Sequence, residues 1–204
     1  MNHREYFNQL ASRWDRMASA ETKARLPKLI EELVIKPGDA ILDVGGGTGI
    51  LLPMLYEAAG DKGKVVSLDI AEEMLKQARN NGYPSNIHYI HADAAAIPLA
   101  SETFDLVICY SSFPHFPNKP RALAEMARVL RNGGRLAICH TDSRHAINEL
   151  HKSIGHVIEH DTIPNAATMR KLLAKSGLNQ IKVRDEADSY LAIATKGVDT
   201  SARW

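Results

Sequence analysis

The chain holds only two cysteines in 204 residues, Cys109 and Cys139, and neither C-x-x-C nor H-E-x-x-H occurs. No local redox or zinc motif is therefore written in it, and two unpatterned thiols suit a reducing compartment. Long apolar runs are also missing. None approaches the roughly 20 residues of a membrane-crossing helix, and residues 1–7 lack the apolar core of a secretion signal. An excess of one charge is absent too: 25 Lys and Arg stand against 24 Asp and Glu. That balance leaves no electrostatic footprint for nucleic acid or a membrane surface. The expectation is a cytoplasmic, single-domain protein over residues 1–204, with no nucleic-acid or membrane partner and its oligomeric state open.

What is present starts at residues 41–49, Ile-Leu-Asp-Val-Gly-Gly-Gly-Thr-Gly. Ile41, Leu42 and Val44 read as a strand buried on both faces, and the glycines end it. Thr48 is placed to cap a helix announced by Ile50, Leu51, Met54, Leu55 and Ala58. Strand, glycine turn and helix make the nucleotide-binding corner of a Rossmann-like sheet. The dinucleotide pattern G-x-G-x-x-G fails, because from Gly45 it needs glycine where Ile50 stands. The pattern present is Asp43-x-Gly45-x-Gly47-x-Gly49.

A second strand, Lys64 to Asp69, ends in an acid beside that turn, where a carboxylate can accept ribose hydroxyls or cap the next helix. That helix shows Ala71, Met74, Leu75 and Ala78 on one face, with Glu72 and Lys76 spaced to pair. A third strand at 87–91 runs into Ala92-Asp93-Ala94, and a fourth spans Phe104 to Tyr110. A helix over 119–131 has Pro120 in its first turn, and Gly133-Gly134 leads to a fifth strand ending at His140. Asn165 is placed to cap a later helix, and strands at 179–184 and 190–195 read as a closing antiparallel hairpin.

In order and spacing, residues 38–140 resemble the class I S-adenosylmethionine-dependent methyltransferases. The resemblance implies an α/β fold with a Rossmann-like, seven-stranded, mostly parallel sheet, an antiparallel final strand and helices on both faces. It assigns cofactor contacts to Asp43, Gly45, Gly47, Gly49, Asp69, Ile70, Asp93, Ala94 and Tyr110, with Asp93 and Ala94 at the adenine. The segment from Tyr6 to Asp15 resembles the opening of the ubiquinone/menaquinone C-methyltransferase branch, whose first helix helps to cover the cofactor. The implied activity is methyl transfer from S-adenosylmethionine to a small, partly apolar acceptor, with C, N, O and S all open as the methylated atom. Residues 1–35 then form a helical cap, 38–140 the cofactor core, and 141–204 the acceptor-side helices and hairpin. A nicotinamide oxidoreductase would share Asp69 but not the glycine spacing. A non-catalytic cofactor sensor would keep the turn and need no acceptor pocket.

Histidine accumulates on the acceptor side. On a helix drawn over 144–159, Ile147, Leu150, Ile154, Val157 and Ile158 share a face with His151, while His145, His156 and His160 lie opposite. His115 follows the fourth strand and His140 ends the fifth. His115, His140 and His151 could therefore ring one crevice as ligands of a divalent metal. Without a metal, His115 and His140 could orient the acceptor or take its proton, or all three could be structural. Asp142, Arg144 and Asp161 are polar candidates of lower rank.

Overall fold

The computed structural model describes residues 1–84 and 86–197. Three N-terminal helices come first, α1 (His3–Leu10), α2 (Trp14–Met17) and α3 (Ala20–Glu32). An alternating run follows: β1 (Ala40–Val44), α4 (Leu52–Ala59), β2 (Lys64–Asp69), α5 (Glu72–Asn80) and β3 (Ile87–His91). Then come β4 (Phe104–Tyr110), α6 (Lys119–Val129), β5 (Leu130–His140), α7 (Arg144–Ile154) and α8 (Ala166–Lys175). The hairpin β6 (Leu178–Glu186) and β7 (Ser189–Lys196) closes the sheet. Among the described residues no helix is long and apolar enough to cross a membrane.

The seven strands lie in the order β3-β2-β1-β4-β5-β7-β6. β1 to β5 are parallel, and β7 enters antiparallel between β5 and β6. Strand order reverses between β1 and β4, so a crevice opens at their carboxyl ends, as this topology dictates. Side-chain alternation explains why the strands are apolar throughout. Leu42, Val66, Val107 and Ile138 face one core with Leu123 and Met126 of α6 and Met169 and Leu173 of α8. Ile41, Val65, Leu106 and Ala137 face the other, against Leu26 and Leu29 of α3 and Leu52 and Leu55 of α4. Cys109 belongs to the first core and Cys139 to the second, so the two free thiols point to opposite faces.

Asn165 caps α8 through the Thr168 N–H, as its sequence position announces. Other local expectations fail for identifiable reasons. The helical lead-in over 1–35 divides into three helices, the last set apart because the chain extends at Ala18 and Ser19 and Ser19 caps α3 afresh. Thr48 does not cap α4; its hydroxyl donates to Asp15, and α4 starts at Leu52 without a side-chain cap. Glu72 pairs not with Lys76 but with Arg4, while Lys76 reaches Glu73 at 3.3 Å. The helix drawn to 159 stops at Ile154, because Gly155 and His156 turn the chain at φ 70° and 59°. The supposed continuous apolar face is thereby broken: Leu150 and Ile154 remain 51% and 38% exposed.

β1 also buries a carboxyl. Asp43 is enclosed beneath the glycine turn, and its Oδ2 has no hydrogen-bond partner among the described residues. Burial, and then the charge of Asp69, push its pKa up to about 7. A carboxyl raised in the folded state stabilises the fold fully below its unfolded pKa of about 3.9, and that contribution is lost as pH rises through the folded value. Wild-type protein should therefore lose on the order of 4 kcal/mol between pH 4 and 8 relative to Asp43→Asn. Denaturant unfolding of both proteins across that range checks it; parallel pH profiles would show that the carboxyl is not held protonated.

Candidate active site

A cavity of about 330 Å³ occupies the crevice at the carboxyl ends of β1, β2 and β4. Gly45, Gly46 and Gly47 form one wall, Asp69 and Ile70 the next, and Asp93, Ala94, Tyr110 and His115 face it. Asn2, His3, Arg4, Phe7 and Trp14 line it from the N-terminal segment. Such a size and mixed lining suit a small-molecule site.

The turn is positioned by backbone hydrogen bonds. The N–H groups of Gly45 and Gly46 donate to the Leu68 carbonyl at 2.7 and 3.1 Å, and that of Gly47 to Asp69 Oδ2 at 2.9 Å. Asp69 Oδ1 accepts from Ala71 N–H at 2.8 Å, so this carboxylate does cap the following segment while also lining the cavity. Burial raises the Asp69 pKa, and the two backbone donors pull it back.

The glycines divide by role. A Cβ at Gly45 would collide with the Ser112 side chain, and one at Gly49 would sit 2.6 Å from Leu52 Cδ1. Only at Gly47, with φ 57°, would it meet open space, its nearest neighbour being Trp14 Nε1 at 3.8 Å. Two of the alternate glycines thus answer to the protein's own packing. Asp43 and Gly49 do not line the cavity; they stand behind the turn. Asp93 is exposed and accepts the Ala95 N–H at 2.8 Å, Ala94 is buried beside it, and the Tyr110 and Thr141 hydroxyls lie 3.1 Å apart.

On the opposite side Asp161 is the centre. Its Oδ2 accepts from His115 Nδ1 at 2.6 Å and from His3 Nε2 at 2.8 Å, and its carbonyl accepts from His151 Nδ1 at 2.7 Å. The His115 and His151 rings meet at a tilt of 46° with centroids 4.7 Å apart, and Phe7 meets His115 edge-on at 4.9 Å. Burial would raise Asp161, but the hydrogen bonds from His115 and His3 outweigh it and hold the carboxyl below its ordinary range. Burial lowers His115, against the pull of Asp161.

His151 is buried and His145 exposed, as the spacing on α7 predicts, while His156 and His160 are exposed beyond the end of that helix. The expected trio is nevertheless not assembled. His140 is enclosed beside Tyr190, lies off the cavity and has no partner for either ring nitrogen among the described residues. Burial pushes its pKa down to about 3 and keeps the ring neutral, off the cavity that His115 lines and outside the cluster around Asp161. His3 and Asp161 take the places assigned to His140 and His151 around His115. The sequence does carry a sign of α1: Asn2 and Glu5 form a capping box, which fixes the helix start just before His3. Nothing local shows that this helix folds back over the crevice.

Four contacts hold it there. Arg4 grips Glu72 through two 2.8 Å hydrogen bonds, Asn8 accepts the Glu73 N–H at 3.0 Å, the Thr48 hydroxyl donates to Asp15, and His3 reaches Asp161.

Residues 42–138 match the family model described as a methyltransferase domain. The ubiquinone/menaquinone biosynthesis C-methyltransferase of Teredinibacter turnerae is 37% identical over 140 residues, covering 65% of this chain and 56% of that protein. The chain thus spans about half the length of the curated relatives it matches. A SAM-dependent methyltransferase structure from Aquifex aeolicus superimposes with a TM-score of 0.72 at 23% identity, covering 96% of this chain and 99% of its own. A putative methyltransferase of Haloferax volcanii, solved in complex with the Trm112 methyltransferase activator, gives 0.77 at 18%, covering 94% and 97%. Both share the fold. With the glycine turn, the strand order and these matches together, residues 42–138 form a methyltransferase domain, and the chain is similar to the ubiquinone/menaquinone C-methyltransferases over that region.

Proposed function

We propose that the protein transfers the methyl group of S-adenosylmethionine to a small, partly apolar acceptor held beneath α1, with His115 taking the acceptor's proton. The observation that carries this reading is that His115 lines the same cavity as the glycine turn and Asp69. Its Nδ1–H is donated to Asp161, which leaves the Nε2 lone pair free to act as a base.

The residues fit the cofactor. Asp69 keeps lone pairs beyond those used by Gly47 and Ala71 and can receive ribose hydroxyls. Gly47 lets the backbone approach a ligand without a side chain between them, Asp93 and Ala94 stand where the adenine edge would be read, and Ile70 and Tyr110 flank it. Asp43 and Gly49 support the turn from behind. When bound, the cofactor supplies a sulfonium-activated methyl group. The remaining work of the chain is alignment and exclusion of water, which Phe7 and Trp14 perform from above. Quinol-like acceptors are the first to test, because the relatives are named for ubiquinone and menaquinone biosynthesis. The two buried free thiols support a cytoplasmic setting.

Asp69→Ala should weaken S-adenosylhomocysteine binding by roughly 2–4 kcal/mol, since charge-assisted hydrogen bonds and an anchor of the turn vanish together. Calorimetry decides this, and unchanged affinity would remove the ribose assignment.

His115→Ala should cut radiolabelled methyl transfer into a small-molecule extract by about 10²–10⁴-fold with S-adenosylhomocysteine affinity nearly kept. The exposed changes His156→Ala and His160→Ala should leave transfer near the wild-type rate. Cofactor binding with no transfer to any fraction by wild-type protein would turn the reading toward a sensor.

A further inference from the structure

The cluster beneath α1 holds a chemistry that methyl transfer does not require. His3 Nε2, His115 Nδ1 and an Asp161 carboxylate oxygen lie within 4.8 Å of one another. They come from three separate parts of the chain: α1, the 3₁₀ turn Phe113–His115 after β4, and the segment between α7 and α8. We propose that these three side chains form a binding site for a divalent first-row transition metal of the zinc class.

The donor set selects that class. Two neutral imidazoles and one carboxylate suit zinc, cobalt or iron(II), whereas magnesium and calcium prefer oxygen alone. Around a tetrahedral ion with bonds of about 2.0–2.2 Å, ligand atoms stand roughly 3.3–3.5 Å apart. The two N···O separations here are 2.8 and 2.6 Å, so each opens by less than about 1 Å to admit the ion. His3 and Asp161 are 21% and 13% exposed at their side chains, which leaves the ion an entry path. His151 braces the site from outside: it donates to the main-chain carbonyl of Asp161 and packs at a tilt against the His115 ring.

The proton balance is simple. Each ring now donates one N–H to Asp161. On binding, each neutral ring keeps its single proton on the other nitrogen, Nδ1 of His3 and Nε2 of His115. The ion replaces two N–H···O bonds and no proton leaves the site. Two effects follow. The ion fastens α1 to the acceptor side, and it protonates the nitrogen of His115 that serves as base, so the metal form is inactive. The second effect rests on the proposed transfer reaction; binding itself does not.

The test uses chelator-stripped whole protein titrated with Co²⁺, read by visible absorption, then displaced by Zn²⁺ under equilibrium dialysis. One equivalent should bind with the intense d–d bands of tetrahedral cobalt. His3→Ala and Asp161→Asn should each weaken binding tenfold or more, while the exposed change His160→Ala should not. S-adenosylhomocysteine affinity measured on the same samples certifies the fold of each variant and keeps the cofactor reading separate from this one. Absence of a stoichiometric cobalt band, or binding indifferent to both His3→Ala and Asp161→Asn, overturns the site. In turnover, zinc should inhibit the wild-type protein reversibly by chelator and spare His3→Ala; equal inhibition of both would overturn it as well.

Discussion

The structure depends on how the turn after β1 is tied to the end of β2. Three successive backbone N–H groups, those of Gly45, Gly46 and Gly47, find their acceptors there, two on the Leu68 carbonyl and one on the Asp69 carboxylate. A buried donor left without an acceptor would cost about 1–3 kcal/mol, so the turn is held against several such penalties. Register carries its position outward: Val44 pairs with Leu68 on one side, and Asp43 with Ile108 on the other. The Ser112 hydroxyl then donates to the Val44 carbonyl at 2.8 Å, an approach that a Cβ at Gly45 would forbid. Three strand ends are thereby fixed around one crevice before any ligand arrives.

The cover is held by different physics. α1 has eight residues, too few to persist alone in water, so it exists where it docks. Its Arg4–Glu72 pair is 49% and 41% exposed at the side chains, a setting in which ion pairs contribute about 0–1 kcal/mol. Edge-to-face packing of Phe7 on Tyr6, Trp14 and His115 adds small increments of its own. Leu10 and Ala11 are buried against Ala71 and Met74 in a third apolar cluster, separate from the two that flank the strands, and this burial supplies the hydrophobic share of the docking.

The same contrast explains what could be read from the sequence. The parallel β-α-β run, the closing hairpin and Asp69 beside the glycine turn follow from short-range signals (apolar runs, a glycine turn, and an acid at the end of the next strand), whereas the seven-stranded sheet and the places of Asp93 and Ala94 come from the family resemblance. Those signals work because parallel strands of a β-α-β unit place consecutive ends side by side. Thr48 and Glu72 mislead for the converse reason. Their local options, a cap and a pairing four residues on, lose to Asp15 and Arg4 from the N-terminal segment. The glycines were legible as a turn but not as packing, since Ser112, Leu52 and Tyr83 become their neighbours only in the fold.

On the acceptor side, residue type was legible and partnership was not. His140 ends β5 and so reads as an edge residue, but β7 runs alongside to the last pair, His140 with Tyr190, and encloses it. Among the described residues neither ring nitrogen has a partner, and burial favours the neutral ring, away from the cavity. Asp161 has the reverse history. Its partners stand 158, 46 and 10 residues away, beyond any helical or strand period, so no pattern raises it above its neighbours. Yet its carboxylate takes the imidazole donors of His115 and His3 while its main-chain carbonyl takes that of His151, so this one residue sets the orientation of His115 and the seating of His3. A carboxylate that holds both His115 and the first turn of α1 ties the seating of that helix to the orientation of His115 in the cavity.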